Sequence, residues 1–144
     1  MAPEGRYLMG TWGSGAFAND EARDLLQGFL DNPASTKEKS LVVMRVLVER
    51  SDLHADDCQL VIALAEMIAA RTGHPSAELP DDAQELIASS PAMHFESVDV
   101  ELAKQAVAKI MDRSELSDLW KDSPNFDDWR RTLSDLYNRL TASV

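Results

Sequence analysis

Apolar residues recur at intervals of three and four along most of the chain, the spacing that gathers them onto one face of an α-helix. In the first such segment, Asp20–Asp31, one stripe holds Ala22, Leu25, Leu26, Phe29 and Leu30. Asn19 or Asp20 can accept from the free N–H groups at its start, and Asn32-Pro33 stops it. A second segment is predicted to open at Ser35, because Ser35-Thr36-Lys37-Glu38 has the capping-box pattern of a hydroxyl and a carboxylate each satisfying a backbone N–H. Its body, Leu41-Val42-Val43-Met44-Arg45-Val46-Leu47-Val48, is β-branched enough for a strand. The cap and a length of about 15 residues favour a helix. In residues 55–72, Leu60, Val61, Ile62, Leu64, Met67 and Ile68 alternate with alanines and point in nearly every direction. A helix of that kind belongs in the middle of others. Gly73 supplies the left-handed position that ends it, and Pro75 prevents its continuation.

Residues 80–89 form a short helix in which Pro80 suits the first turn, Asp81 and Asp82 complement the dipole, and Pro91 closes the segment. Ser97 or Asp99 can cap the next, whose stripe is Leu102, Ala106, Val107 and Ile110. Ser114 can cap a brief helix carrying Leu116, Leu119 and Trp120. Ser123-Pro124 reads as a cap followed by proline at the first helical position, opening a last helix with Trp129, Leu133, Leu136, Tyr137 and Leu140 on one face. Connections are short and no repeat is evident. The expected architecture is all-α: one compact bundle of six or seven helices.

The opening is different. Met9-Gly10-Thr11-Trp12-Gly13-Ser14-Gly15-Ala16-Phe17-Ala18-Asn19-Asp20 has three glycines in close succession beside two large aromatics. A phosphate-cradling loop is one reading, but Asn19-Asp20-Glu21 would place acceptors and carboxylates where the phosphate should sit. No lysine follows the last glycine as a P-loop requires, and no strand pattern precedes it. The expected role of Gly10, Trp12, Gly13, Gly15, Phe17, Asn19 and Asp20 is therefore structural: the aromatics plug the helical core while the glycines let the backbone lie across it. This opening resembles that of the bacterial family known as domain of unknown function 4259, whose members begin Met-Gly-x-Trp-Gly-x-Gly-x-Phe and reach Asn-Asp or Asp-Asp before a helix. Met9, Gly10, Trp12, Gly13, Gly15, Phe17, Asn19 and Asp20 match it, while Ala18 stands where an acidic residue is common. The likeness continues more loosely through the alanine-rich helix, the Gly73-His74-Pro75 break and the Trp120 and Trp129 region. It implies a small soluble bacterial protein and brings no established activity. It also implies that residues 1–8 are an extension outside the fold, and residues 9–144 a single domain.

Composition narrows the partners. The chain has 144 residues, enough for one domain with a sizeable core, and 25 acidic against 14 basic residues give a net charge of −11. Such a charge repels phosphate backbones and anionic lipid, so nucleic acid and membrane surfaces are not expected partners. One cysteine excludes an internal disulfide. The lack of an apolar leader at the start points to the cytoplasm. The charge is also uneven. Residues 72–103 contain no Lys or Arg, while Glu78, Asp81, Asp82, Glu85, Glu96, Asp99 and Glu101 provide seven acids. Two readings are open: a solvated face that keeps the protein soluble, or a docking surface for a basic protein partner, as in immunity- or defence-like proteins.

Catalytic chemistry is thinly represented. His54, Asp57 and Cys58 are spaced to share a helical face and offer N, O and S ligands, which makes a small metal-dependent protein or enzyme, with His94 as a further candidate, the alternative reading. Against it, Asp56 and Asp57 are expected at a helix start for the dipole alone. Cys58 has no basic neighbour to activate it, and Gly13-Ser14-Gly15 lacks the spacing of a nucleophile elbow. No Glu-x-x-His tetrad for a di-iron bundle occurs. No cofactor is expected. Arg130-Arg131 reads as an exposed face of the last helix.

Overall fold

A computed structural model describes residues 15–143. Among them are seven α-helices, in keeping with the all-α expectation: α1 (Asp20–Asp31), α2 (Pro33–Glu49), α3 (Ala55–Arg71), α4 (Asp81–Ser89), α5 (Ser97–Asp112), α6 (Glu115–Lys121) and α7 (Phe126–Ala142). A single 3-10 turn, Pro91–Met93, separates α4 from α5. Of the opening motif, Gly10, Trp12 and Gly13 lie outside the described residues, as does the predicted extension over residues 1–8.

The central position goes to α3, which packs against each of the other six helices. Eleven of its 17 residues are buried, on all sides of the helix. Ala63, Ala65 and Ala69 are fully enclosed, and their small side chains let neighbouring helices approach closely. Around it the other helices are one-sided. In α1 the buried stripe is Ala22, Leu25, Leu26 and Phe29, with Leu30 turned outward at its edge. In α7 it is Trp129, Leu133, Leu136 and Leu140. The Trp120 and Trp129 rings stack with centroids 6.1 Å apart, and Phe126 stacks on Trp129 at the same separation, fastening α6 to α7.

Helix starts differ from the sequence expectation in three places. Asn32 ends α1, its N–H donating to the carbonyl of Gly28, and also begins α2, with Pro33 in the first turn. Ser35 therefore sits inside the helix instead of capping it, because proline's fixed φ lets the helix begin directly after Asn32. At the other end, the Ser123 hydroxyl accepts from the N–H of Asn125 at 3.0 Å and forms a turn. Helix α7 begins only at Phe126. The start of α5 also departs, since its cap is Glu96 and not Ser97 or Asp99, and Asp99 stands at the third helical position, where its carboxylate accepts from Glu96 N–H at 2.9 Å. Two starts follow the pattern. The Asn19 side chain accepts from Ala22 N–H at 2.8 Å, and Ser114 accepts from Ser117 N–H at 2.9 Å.

One helix end is finished by a distant residue. Helix α2 has no basic residue in its last turn. Lys109, on α5, donates from its ammonium to the carbonyls of Leu47, Val48 and Arg50, supplying the positive charge that a helix C-terminus favours.

Candidate functional site

At the C-terminal end of α3, Gly73 has φ +98°, the left-handed conformation that costs other residues most. The N–H of His74 donates to the carbonyl of Ala69 at 2.9 Å and that of Gly73 to Ala70 at 3.1 Å, a complete Schellman ending. The chain then turns back along the bundle. Ser76 Oγ accepts from Glu78 N–H at 3.1 Å, Leu79 is buried as an anchor, and Pro80 leads into α4. Opposite lies the described part of the opening motif. The Ala18 N–H donates to the Gly15 carbonyl at 3.1 Å, Phe17 rests half-buried on the core, and Asn19 Nδ2 donates to Ala16 O at 3.2 Å. Asn19 thus ties the loop to α1, while Asp20 is exposed in the first turn.

Between these two loops is a cleft of about 270 Å³, walled by Gly15–Ala18 on one side and Ser76–Pro80 on the other, with Arg23 and Thr132 at its edges. A Cβ on Gly15 would stand 3.2 Å from Glu78 Oε1, close enough that the exposed carboxylate would have to shift slightly to make room. Glu66 lines the cleft from below. Its carboxylate accepts two hydrogen bonds from Arg139, both at 2.9 Å, and the residue is 2% exposed. Arg139 also bonds Asp135 at 2.8 Å and the His74 carbonyl at 3.1 Å. Burial pushes the Glu66 carboxyl above its ordinary range, and the hydrogen bonds and charge of Arg139 oppose that rise. With both oxygens engaged by a guanidinium, Glu66 is a structural anion and a poor general acid. The pair escaped the sequence reading, although one carboxylate among the apolar residues of α3 was a visible signal that a cation had to come from elsewhere.

The predicted acidic span divides into two parts. On the α4 side, Glu78, Asp81 and Glu85 are exposed and make no ion pair among the described residues, while Asp82 pairs with Arg23 at 3.3 Å. At the start of α5, Asp99 accepts from the Glu96 backbone and Glu101 lies 3.6 Å from Lys104. The two groups sit on different neighbours, since α4 packs on α3 and α1 whereas α5 packs mainly on α3, α7 and α2. Further acids that the sequence reading did not include adjoin the first group's neighbour α1. The Glu21 carboxyl is raised by burial and then by the charges of Asp56, Asp24, Asp57 and Asp20, so the starts of α1 and α3 share one negative field.

His54, Asp57 and Cys58 do not converge as a ligand set. His54 precedes α3 with extended backbone, so it leaves the helical face that the spacing assumed, and its ring lies exposed 3.7 Å from Asp52. Cys58 is fully buried, and burial pushes its thiol up to about 12. His94 is exposed in the loop before α5, where its carbonyl accepts from Lys37. Among the described residues no three His, Cys, Asp or Glu side chains are grouped to hold a metal ion. Nor, among them, is any helix long and apolar enough to cross a membrane.

Comparison with curated proteins and with solved structures found no match to this chain. Comparison with protein families matched residues 10–132, which include both walls of the cleft and all of α1 through α6, and on that extent the chain belongs to the family described as Domain of unknown function (DUF4259).

Proposed function

We propose that this protein is a non-catalytic bacterial interaction protein, acting in the cytoplasm, that receives a basic protein partner on the α4 side of the acidic surface. The observation that carries this reading is the difference in how the acids are engaged. Glu78, which lines the cleft, and Asp81 and Glu85, which follow it on α4, are exposed and have no cation of their own among the described residues. A Lys or Arg side chain of the partner would enter the cleft beside Glu78, and the acids at the starts of α1 and α3 would extend the attraction and speed encounter. Glu96, Asp99 and Glu101, grouped with them by sequence, fall to a supporting role. A role in immunity or defence, in which an acidic protein neutralises a basic toxin, is the setting this chemistry fits best.

The test is affinity capture from the native lysate with the wild-type chain and with the double reversal Asp81→Lys, Glu85→Lys, leaving the Arg23–Asp82 pair intact. The wild type should retain a basic protein that salt releases, and the reversed variant should bind it at least about tenfold more weakly. Equal retention by both would remove the α4 surface from consideration. If no basic protein is retained, the reading fails.

A further inference from the structure

We propose that a second site lies in the groove between α5 and α7, where a small aromatic anion rests against Tyr137 and is held by Arg130 and Lys121. The groove is about 480 Å³ in volume and is lined by Ala108, Met111, Asp112, Lys121, Arg130 and Tyr137. That is the size of a small-molecule site, and its composition is what such sites combine: an apolar floor and a few charged groups at the rim. Ala108, Met111 and Tyr137 are half-buried and form the floor. The cations come from two different helices and reach the same opening. Lys104 is outside the lining, its ammonium 5.9 Å from the centre of the Tyr137 ring and 3.6 Å from Glu101.

The two adjacent arginines of α7 are used differently. Arg131 turns to Asp128 at 2.8 Å. Arg130 has no carboxylate partner among the described residues and instead lies 5.8 Å from the centre of the Phe126 ring. That contact orients the guanidinium while leaving its N–H donors available for a bidentate phosphate or carboxylate. Lys121 is exposed and shares a 3.4 Å contact with Asp118, a surface pair weak enough to yield to a ligand anion. Asp112, the one acid in the lining, is itself 3.3 Å from Arg113. In a chain of net charge −11 this rim is a local reversal of sign, and a planar ring with one anionic group matches it. The anionic group can be the phosphate of a nucleotide or the carboxylate of an aryl acid, because each offers two oxygen acceptors that the Arg130 guanidinium can bridge.

The test is calorimetric or NMR titration of the full chain with adenosine monophosphate, indole-3-acetate, adenosine and inorganic phosphate. Adenosine monophosphate or indole-3-acetate should saturate the site with Kd below roughly 1 mM, and whichever binds identifies the anionic group. Adenosine and phosphate alone should each bind at least about tenfold more weakly, since each lacks half of the recognition. The double variant Arg130→Ala, Lys121→Ala alters only exposed side chains, so it should keep the wild-type Tm while losing at least about tenfold in affinity. Absence of saturable binding by both aromatic anions overturns the proposal, as does binding that the double variant leaves unchanged. Phosphate binding as tightly as adenosine monophosphate would also overturn it, by showing that the ring is not recognised.

Discussion

Residues 78–85 and residues 96–101 belong to one span without lysine or arginine, yet the fold treats their carboxylates differently. The later group sits at a helix start, where Asp99 serves as an acceptor for the backbone and Glu101 finds Lys104 one turn on. The earlier group begins at a cleft wall with Glu78 and continues along α4, and three of its four acids have no cation within the described residues. Equal sequence density of charge therefore says little about availability. Asp81 and Asp82 stand in the first turn of a helix just as Asp99 does, so what decides it is whether a capping hydrogen bond or a neighbouring cation engages the carboxylate.

Three substitutions test that contrast, beginning with the one expected to do most. Arg139→Met leaves Glu66 buried without its cation under the cleft, which should destabilise the protein by about 3–5 kcal/mol in urea unfolding. The effect should depend on pH. The folded state already holds the Glu66 proton more tightly than the unfolded chain, so stability contributed by this group falls as pH rises from the ordinary carboxylate range toward the raised value. Removing Arg139 extends that window upward, and the loss should be smaller near about pH 5 than near about pH 8. A pH-independent loss would mean that Arg139 acts through packing alone.

Asp99→Ala comes next. It should cost about 1 kcal/mol in thermal or urea unfolding and leave partner retention intact, as suits an acid used for capping. Loss of partner binding with unchanged stability would reverse the assignment of the two groups. The smallest effect is expected of Arg23→Ala. Both side chains of the Arg23–Asp82 pair are about two-fifths exposed, at 42% and 41%, so stability should change by less than about 0.5 kcal/mol. Capture of the basic partner should strengthen slightly, because Asp82 joins the unengaged acids.

The helices were legible because their apolar stripes repeat over many residues. Ala22 to Phe29 in α1 and Trp129 to Leu140 in α7 are buried as the spacing requires, and Gly73 ends α3 in the expected left-handed conformation. Helix starts were less legible where two local signals competed. Proline at position 33 prevailed over the capping box at Ser35, and a hydroxyl turn at Ser123 delayed α7 to Phe126. The cleft was largely illegible. Its walls come from the opening motif and the loop after α3, and the cation for Glu66 lies 73 positions further along. No local periodicity encodes a pairing over that distance. His54, Asp57 and Cys58 do not meet for a local reason, since His54 precedes the helix and helical spacing does not extend to it.

The burial of Cys58 has a practical consequence. It is the only thiol in the chain, fully enclosed, with a pKa of about 12, so thiol reagents should leave the native protein untouched and label it only as fast as the core opens. Labelling of the wild type then becomes a clock for unfolding. By the same token, a cysteine placed at Asp81 or at Arg130 would be the single reactive group on the folded surface, ready to carry a photo-crosslinker or a spin label to either site without further engineering of the background.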